Sequence, residues 1–246
     1  MDKAIYIGMT GASQNMAAQA VQANNLANAS TTGFRADLIQ ARTEQVEGEG
    51  FETRFYNVLQ PNATDFTQGP LMETGNELDI AISGDGFLAV QTADGSEAYT
   101  RAGDLQLTAF GELVNGSGLP VIGNAGPIAI PPNQKIEIGT DGTISVLEQG
   151  QGAEAITAFD RIKLVNPDTE MLVKGSDGLL RRNDGVPELA DGAVRVQSGF
   201  VEASNVNVVD AMVEMISLSR NFEMNIKLIR TAEENSEASA QLLQVR

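Results

Sequence analysis

Apolar residues recur along this chain at two different periods, and the change of period divides it. The positions Val208, Met212, Met215, Ser219, Phe222, Ile226, Ile229, Glu233, Ser236, Ala240 and Leu243 alternate spacings of four and three, and eight of these eleven are apolar. That is the spacing of a heptad seam. Val209, Val213 and Ile216 add a lane beside its first half, so that half has a wider apolar face than one partner helix needs. Residues 200 to 246 hold neither Gly nor Pro, so nothing interrupts a helix. From Asn207 to Leu243 it would run roughly 55 Å at ~1.5 Å per residue.

The N-terminal stretch repeats the spacing at Ile5, Met9, Ala12, Met16, Gln19, Ala23 and Leu26, with Gln19 the one polar member. Ala17, Ala18, Ala20 and Ala27 supply small side chains that let helices approach closely. The segment ends at NASTTGF, residues 28 to 34. There Gly33 suits the left-handed backbone of a helix terminus, and Phe34 is expected to fold back onto the last turn. The two ends are expected to pair, yet both faces are more apolar than one partner covers. Leftover apolar face implies further partners, and mobile ends in an isolated monomer.

Between the ends the pattern changes to short alternating or β-branched runs: 78 to 82, 87 to 91, 105 to 107, 136 to 138, 144 to 147, 162 to 165 and 194 to 197. All eight Pro fall between Pro61 and Pro187, and 19 of the 25 Gly fall between Gly75 and Gly199, so the middle turns often. Six Asp-Gly pairs, at 85, 94, 141, 177, 184 and 191, and Asn115-Gly116 supply the positive φ that tight hairpins require. The predicted fold class is α+β. Long N- and C-terminal helices, paired in a coiled-coil-like domain, flank an inserted all-β antiparallel domain. The predicted boundaries are 1–34 for the first helix, 35–75 for an extended or irregular connection, 76–203 for the β-rich domain and 204–246 for the last helix.

Composition removes most chemistries. The 246 residues include no His, no Cys and no Trp, which excludes disulfides, thiolate nucleophiles, zinc-thiolate sites and the usual general base. The net charge of −17 argues against a nucleic-acid or anionic-membrane partner. No apolar run is long enough to span a bilayer, and the N-terminus lacks the pattern of a cleavable signal. Charge also follows the division. Residues 1 to 40 are neutral, Lys3 and Arg35 against Asp2 and Asp37, and residues 205 to 246 carry −2, leaving −15 on the middle. That suits helices buried in an assembly and a middle facing water.

Glu77 and Asp79 read as an acid pair on one strand face, the arrangement a glycosidase uses, but two solvent-facing acids explain them better. The Ser83 to Gly86 run reads as a turn, because no helix follows it to hold a phosphate. No catalytic, cofactor or metal residue is assigned, and no small-molecule substrate is expected. Aromatics are 5% of the chain, too few to line a polysaccharide cleft. A Met-rich binding module is the other alternative, since Met9, Met16, Met212, Met215 and Met224 lie on the two helices. Asn24, Asn25 and Asn28 are the local oddity, because Asn disfavours helix interiors.

These residues carry a resemblance. ANNLANASTTGFR at 23 to 35 resembles the N-terminal signature of the bacterial flagellar axial proteins, the rod, hook and hook-associated subunits. LDIAISGDGFLAVQ at 78 to 91, the segment 99 to 123, and the stretch opening SNVNVVDAMVEMISLSRNFEMNIKLI at 204 resemble the same family, in its order. Within the family the chain looks most like the proximal rod, with the distal rod as near alternative. The resemblance implies terminal helices that pack with neighbouring subunits around an axial tube, an outer β-rich layer, and no catalytic step. It implies partners among the other rod proteins and further copies of the chain. It also implies export through the flagellar type III apparatus without a cleaved signal, to the basal body within the periplasm. Ile5, Met9, Ala12, Met16, Ala23, Leu26, Met212, Met215, Phe222, Ile226 and Ile229 become candidate assembly residues. Asn24, Asn25, Leu26, Ala27, Asn28, Gly33 and Phe34 carry the signature and fix the helix junction.

Overall fold

The computed structural model describes residues 2–45, 55–148 and 156–244, with side-chain surroundings at 5–39, 63–147 and 156–241. Leu243 of the expected seam lies outside the latter. The chain forms two compact units, 1–29 with 37–65 and 206–246, and 30–36 with 66–205.

The first unit holds helix α1 (Asp2–Ala27), strands β1 (Asp37–Gln45) and β2 (Phe55–Thr64), and helix α2 (Val208–Gln244). The helices run antiparallel, for Gly8 lies against Leu228 and Ile229 while Gly11 lies against Asn225. A Cβ on Gly8 would stand 2.8 Å from Cγ1 of Ile229, so glycine is what permits this approach. The covered positions of α2 are Ala211, Met215, Leu218, Ser219, Phe222, Asn225, Ile226, Ile229, Ala232, Ser236 and Ser239. Six of these, Met215, Ser219, Phe222, Ile226, Ile229 and Ser236, were in the expected seam, whereas Val208, Met212, Glu233 and Ala240 are exposed. The covered face thus keeps the expected lane from Met215 to Ile229 and adds beside it Ala211, Leu218, Asn225, Ala232 and Ser239, mostly small or polar residues that suit a close approach of the helices. Asn207 starts α2: its Oδ1 accepts from the Val209 and Asp210 amides, and its Nδ2 donates to Asp210 at 2.7 Å. Asp210 also places negative charge in the first turn, where the helix dipole favours it.

Residues 37–64, expected as an extended connection, include an antiparallel ladder from Asp37 opposite Thr64 to Gln45 opposite Phe55. Its register slips between Leu38 and Ile39, where Asn62 is left over and Pro61 follows, the kind of position a ladder reserves for proline.

The second unit has sheets that are all antiparallel, with one short 3-10 turn at Thr169–Met171. In chain order it comprises β3 (Leu71–Glu73), β4 (Ile80–Ser83), β5 (Phe87–Gln91), β6 (Glu97–Thr100), β7 (Leu105–Leu107), β8 (Leu113–Asn115), β9 (Asn133–Ile138), β10 (Thr143–Glu148), β11 (Thr157–Arg161), β12 (Leu164–Val165), β13 (Leu172–Lys174), β14 (Leu180–Arg182), β15 (Arg195–Ser198) and β16 (Phe200–Glu202). The largest sheet has the order β12-β5-β6-β14-β13, beside a three-stranded β11-β10-β9 sheet and the pairs β15-β4, β16-β3 and β7-β8. Ile80, Leu88, Val90, Leu105, Leu113, Val121, Ile144 and Leu164 are among the buried residues of one core cluster, and Phe87, Tyr99, Val165 and Leu180 of a second.

The Asp-Gly pairs build the turns through both members. Gly86, Gly95, Gly142, Gly178 and Gly185 have positive φ, while Gly192 and Gly116 do not. At Asp94, Asp141, Asp177, Asp184 and Asp191 the carboxylate accepts the backbone N–H two residues on, closing an Asx turn. Hydrogen bonds hold several of these carboxyls below their ordinary range. The Thr92 hydroxyl is the main cause at Asp94, taking it from 3.8 to about 2, Thr143 at Asp141, Arg181 at Asp177 and Arg182 at Asp184.

Glu77 and Asp79 are not paired on a strand face. They precede β4 in a turn, where Asp79 is buried and accepts from Thr74 Oγ1 at 2.6 Å and Asn76 Nδ2 at 3.1 Å, while Glu77 is exposed. A carboxylate committed to closing its own turn is not free for acid-base work.

Candidate functional site

Two features stand out, one in each unit. In the first, the helix pair leaves much of its apolar surface uncovered. Tyr6, Ile7, Met9 and Met16 on α1 are exposed, as are Val208, Val209, Met212, Val213, Ile216, Met224 and Leu228 on α2. Ile7 and Val213 are 64% and 62% exposed, values far from those of core residues. Of the candidate assembly residues, Ala12 is buried, Ile5, Leu26, Met215, Phe222, Ile226 and Ile229 are half-buried, and Met9, Met16, Ala23 and Met212 face outward. The set therefore mixes residues that close the intramolecular pair with residues that no described residue covers.

The Asn cluster is divided in the same way. Asn25 is buried and joins α1 to the start of β1 by two reciprocal bonds, its Nδ2 donating to the Asp37 carbonyl at 2.9 Å and its Oδ1 accepting the Asp37 amide at 2.8 Å. Asn28 donates from both its amide and its side chain to the Asn24 carbonyl, satisfying the last turn of the helix. Asn24 and Ala27 are exposed.

In the second unit the incoming segment 30–36 meets the returning strand β16. Gly33 (φ +65°) donates its amide to the Glu202 carbonyl at 2.7 Å, and a Cβ there would lie 2.2 Å from the Arg101–Ala102 backbone. Its left-handed backbone thus serves a close approach of chains, six residues beyond the helix end it was expected to cap. Phe34 is buried, with Lys174 Nζ 3.8 Å above the centre of its ring, a cation–π contact. Lys174 also donates to the Arg35 carbonyl at 2.7 Å.

Behind these sits a buried ion network. Glu202, 1% exposed, accepts from Arg35 at 2.7 Å and from Arg101 at 2.9 Å, and its Oε1 accepts the Gly69 amide as well. Arg35 further donates to the Thr67 carbonyl, and Arg101 to the Gly84 carbonyl while resting over the Phe87 ring. Burial pushes the Arg101 guanidinium below its ordinary value, opposed by Glu202 and reinforced by Arg35. Asn205 completes the junction: its Oδ1 accepts the Ala36 amide at 2.8 Å and its Nδ2 donates to the Thr67 carbonyl at 3.1 Å.

Sequence reasoning missed Arg35, Arg101, Glu202 and Asn205. A glutamate within the apolar run Phe200-Val201-Glu202-Ala203 was the available signal. Its partner Arg101 is 101 residues away in the chain, which no local pattern reveals.

Residues 5–35 match the family model for flagella basal body rod proteins, 81–146 that for the flagellar hook protein FlgE/F/G D1 domain, and 197–242 that for the C-terminal part of flagellar basal body rod FlgEFG proteins. Arg35, Arg101 and Glu202 fall one in each segment. The flagellar basal-body rod protein FlgF of Escherichia coli K12 is 45% identical over 249 residues, with 99% of each chain covered. The chain belongs to the FlgF family of flagellar basal-body rod proteins. FlgF of Salmonella typhimurium LT2 is 43% identical with the same coverage, and FlgG of Buchnera aphidicola from Schizaphis graminum is 34% identical over 98% of this chain and all of its own. The protein is a structural subunit of the flagellar basal-body rod. Among the described residues of this rod protein, no helix is long and apolar enough to cross a membrane, and no group of three or more carboxylates is arranged to hold a metal.

Proposed function

We propose that the rod protein polymerises with other rod subunits and further copies of itself into the proximal part of the drive shaft, which carries motor torque to the hook. Its role is mechanical, with no catalytic step. The terminal helices form a coiled-coil-like assembly domain, and residues 76–203 form the β-rich outer domain. The subunit reaches the basal body in the periplasm through the flagellar type III apparatus, without a cleaved signal.

The observation that carries this reading is the uncovered apolar lane of Val209, Met212, Val213 and Ile216, set on a helix whose other face is already occupied by α1. Burying one such side chain in a neighbour stabilises by about 1.5–3 kcal/mol, so a few per subunit suffice for a stiff lattice. The assembly residues then separate by role. Ala12, Met215, Phe222 and Ile229 hold the helix pair, and Met9, Met16, Met212 and Val213 meet neighbours. Val213→Glu should stop incorporation into rods, scored by motility and by basal-body purification, while leaving the soluble subunit as stable as before. A motile Val213→Glu strain with normal rods would refute the assignment of that lane.

A further inference from the structure

Arg35 and Arg101 share one buried carboxylate, so the network keeps an uncompensated positive charge. Among the described residues, Nε and Nη2 of Arg35 and Nε of Arg101 are buried and donate to nothing. Asp85 also attracts Arg101, but from an exposed position where water screens it. Nε and Nη2 make up one edge of the guanidinium, the parallel pair of donors with which arginine grips an anion bidentately. On Arg35, which is 3% exposed, that edge is unused.

Both arginines line a cavity of about 10 Å³ whose wall also includes Gly33, Tyr99, Thr100 and Lys174. That is space for about one water-sized sphere. A water molecule there would accept from the idle donors but leave the charge unbalanced. A small anion does both, and in a site from which water is largely excluded the charge is the larger need.

We propose that this cavity binds one small monovalent anion such as chloride, held by the idle edge of Arg35 and the idle Nε of Arg101. The anion completes the charge balance of the junction between segment 30–36 and β16, and so strengthens it.

The test uses the full-length protein and sodium bromide, whose anion scatters anomalously. In crystals soaked in bromide, a peak is expected within hydrogen-bonding distance of Arg35 Nε and Nη2. In solution, urea unfolding at fixed ionic strength, with chloride replaced stepwise by gluconate, is expected to show a midpoint that rises saturably with chloride. That rise should disappear in Arg35→Lys, which keeps the charge and loses the fork. Equal midpoints in chloride and gluconate, or the same chloride response in Arg35→Lys, would overturn the proposal. So would a site holding water alone, or an adventitious ion only, with bromide confined to other surface positions. The crystal measurement needs no variant and decides the matter even if Arg35→Lys fails to fold.

Discussion

Neutralising Glu202 would leave two guanidinium groups facing each other where water does not reach. Removing one partner of a buried ion pair costs about 3–5 kcal/mol, most of it for the charge left behind. Glu202→Gln should therefore lower the unfolding free energy by about that amount in urea denaturation followed by circular dichroism, whereas exposed-pair changes such as Lys135→Gln should shift it by less than about 1 kcal/mol. Equal effects would mean that the network contributes no more than a surface pair. The same residue-scale logic separates the Asn cluster. Asn25, whose amide is used in both directions by Asp37, has a role that Asn24, exposed and accepting only through its carbonyl and Oδ1, does not.

At the scale of elements, Gly8 sets how close the two helices come. Gly8→Ala gains up to about 1 kcal/mol of helix propensity but drives a methyl into Ile229, so the two effects nearly offset. Gly8→Val has a β-branched side chain and no room, and overpacking costs about 1–3 kcal/mol. Gly8→Val should thus reduce helical signal and hydrogen-exchange protection along α2, with the β unit unaffected. Unchanged protection would show that the approach at Gly8 is not limiting. The heptad spacing located α2 well, since α2 spans Val208–Gln244, and the middle of its packed face from Met215 to Ile229, but not the lane of Ala211, Leu218, Asn225, Ala232 and Ser239 covered beside it. Periodicity reports which residues are apolar. It does not report which lane a glycine-bearing partner can reach.

For the whole molecule, acid response follows from the turns. Asp94, Asp141, Asp177 and Asp184 all have folded pKa values below the ordinary 3.8, with Asp94 at about 2. A depressed folded pKa contributes stability that is complete above the unfolded value and is lost as pH falls through the folded one. Stability should therefore be flat above about pH 5 and decline from near 4 toward 2, monitored by urea midpoints. Asp94→Asn should flatten part of that decline. A midpoint unchanged down to pH 2 would mean the Asx turns survive protonation. Self-repulsion of the −15 charge on residues 41 to 204 acts the other way, lowering stability above pH 4, but only weakly, because exposed charges are screened by salt.

The order of elements was determined by the sequence alone, because the absence of Gly and Pro after Gly199 and the Asp-Gly pairs between 85 and 192 act locally, through φ and hydrogen bonds within a few residues. The same is true of the small residues of the first helix and the apolar excess on both ends. The tertiary structure decided which lane of α2 is covered, that residues 37–64 include an antiparallel ladder, and that Gly33 serves a chain approach rather than a helix cap. It also decided that Arg35, Arg101 and Glu202 form one network. Each of these depends on distance between segments far apart in the chain, and a single sequence carries no record of that distance.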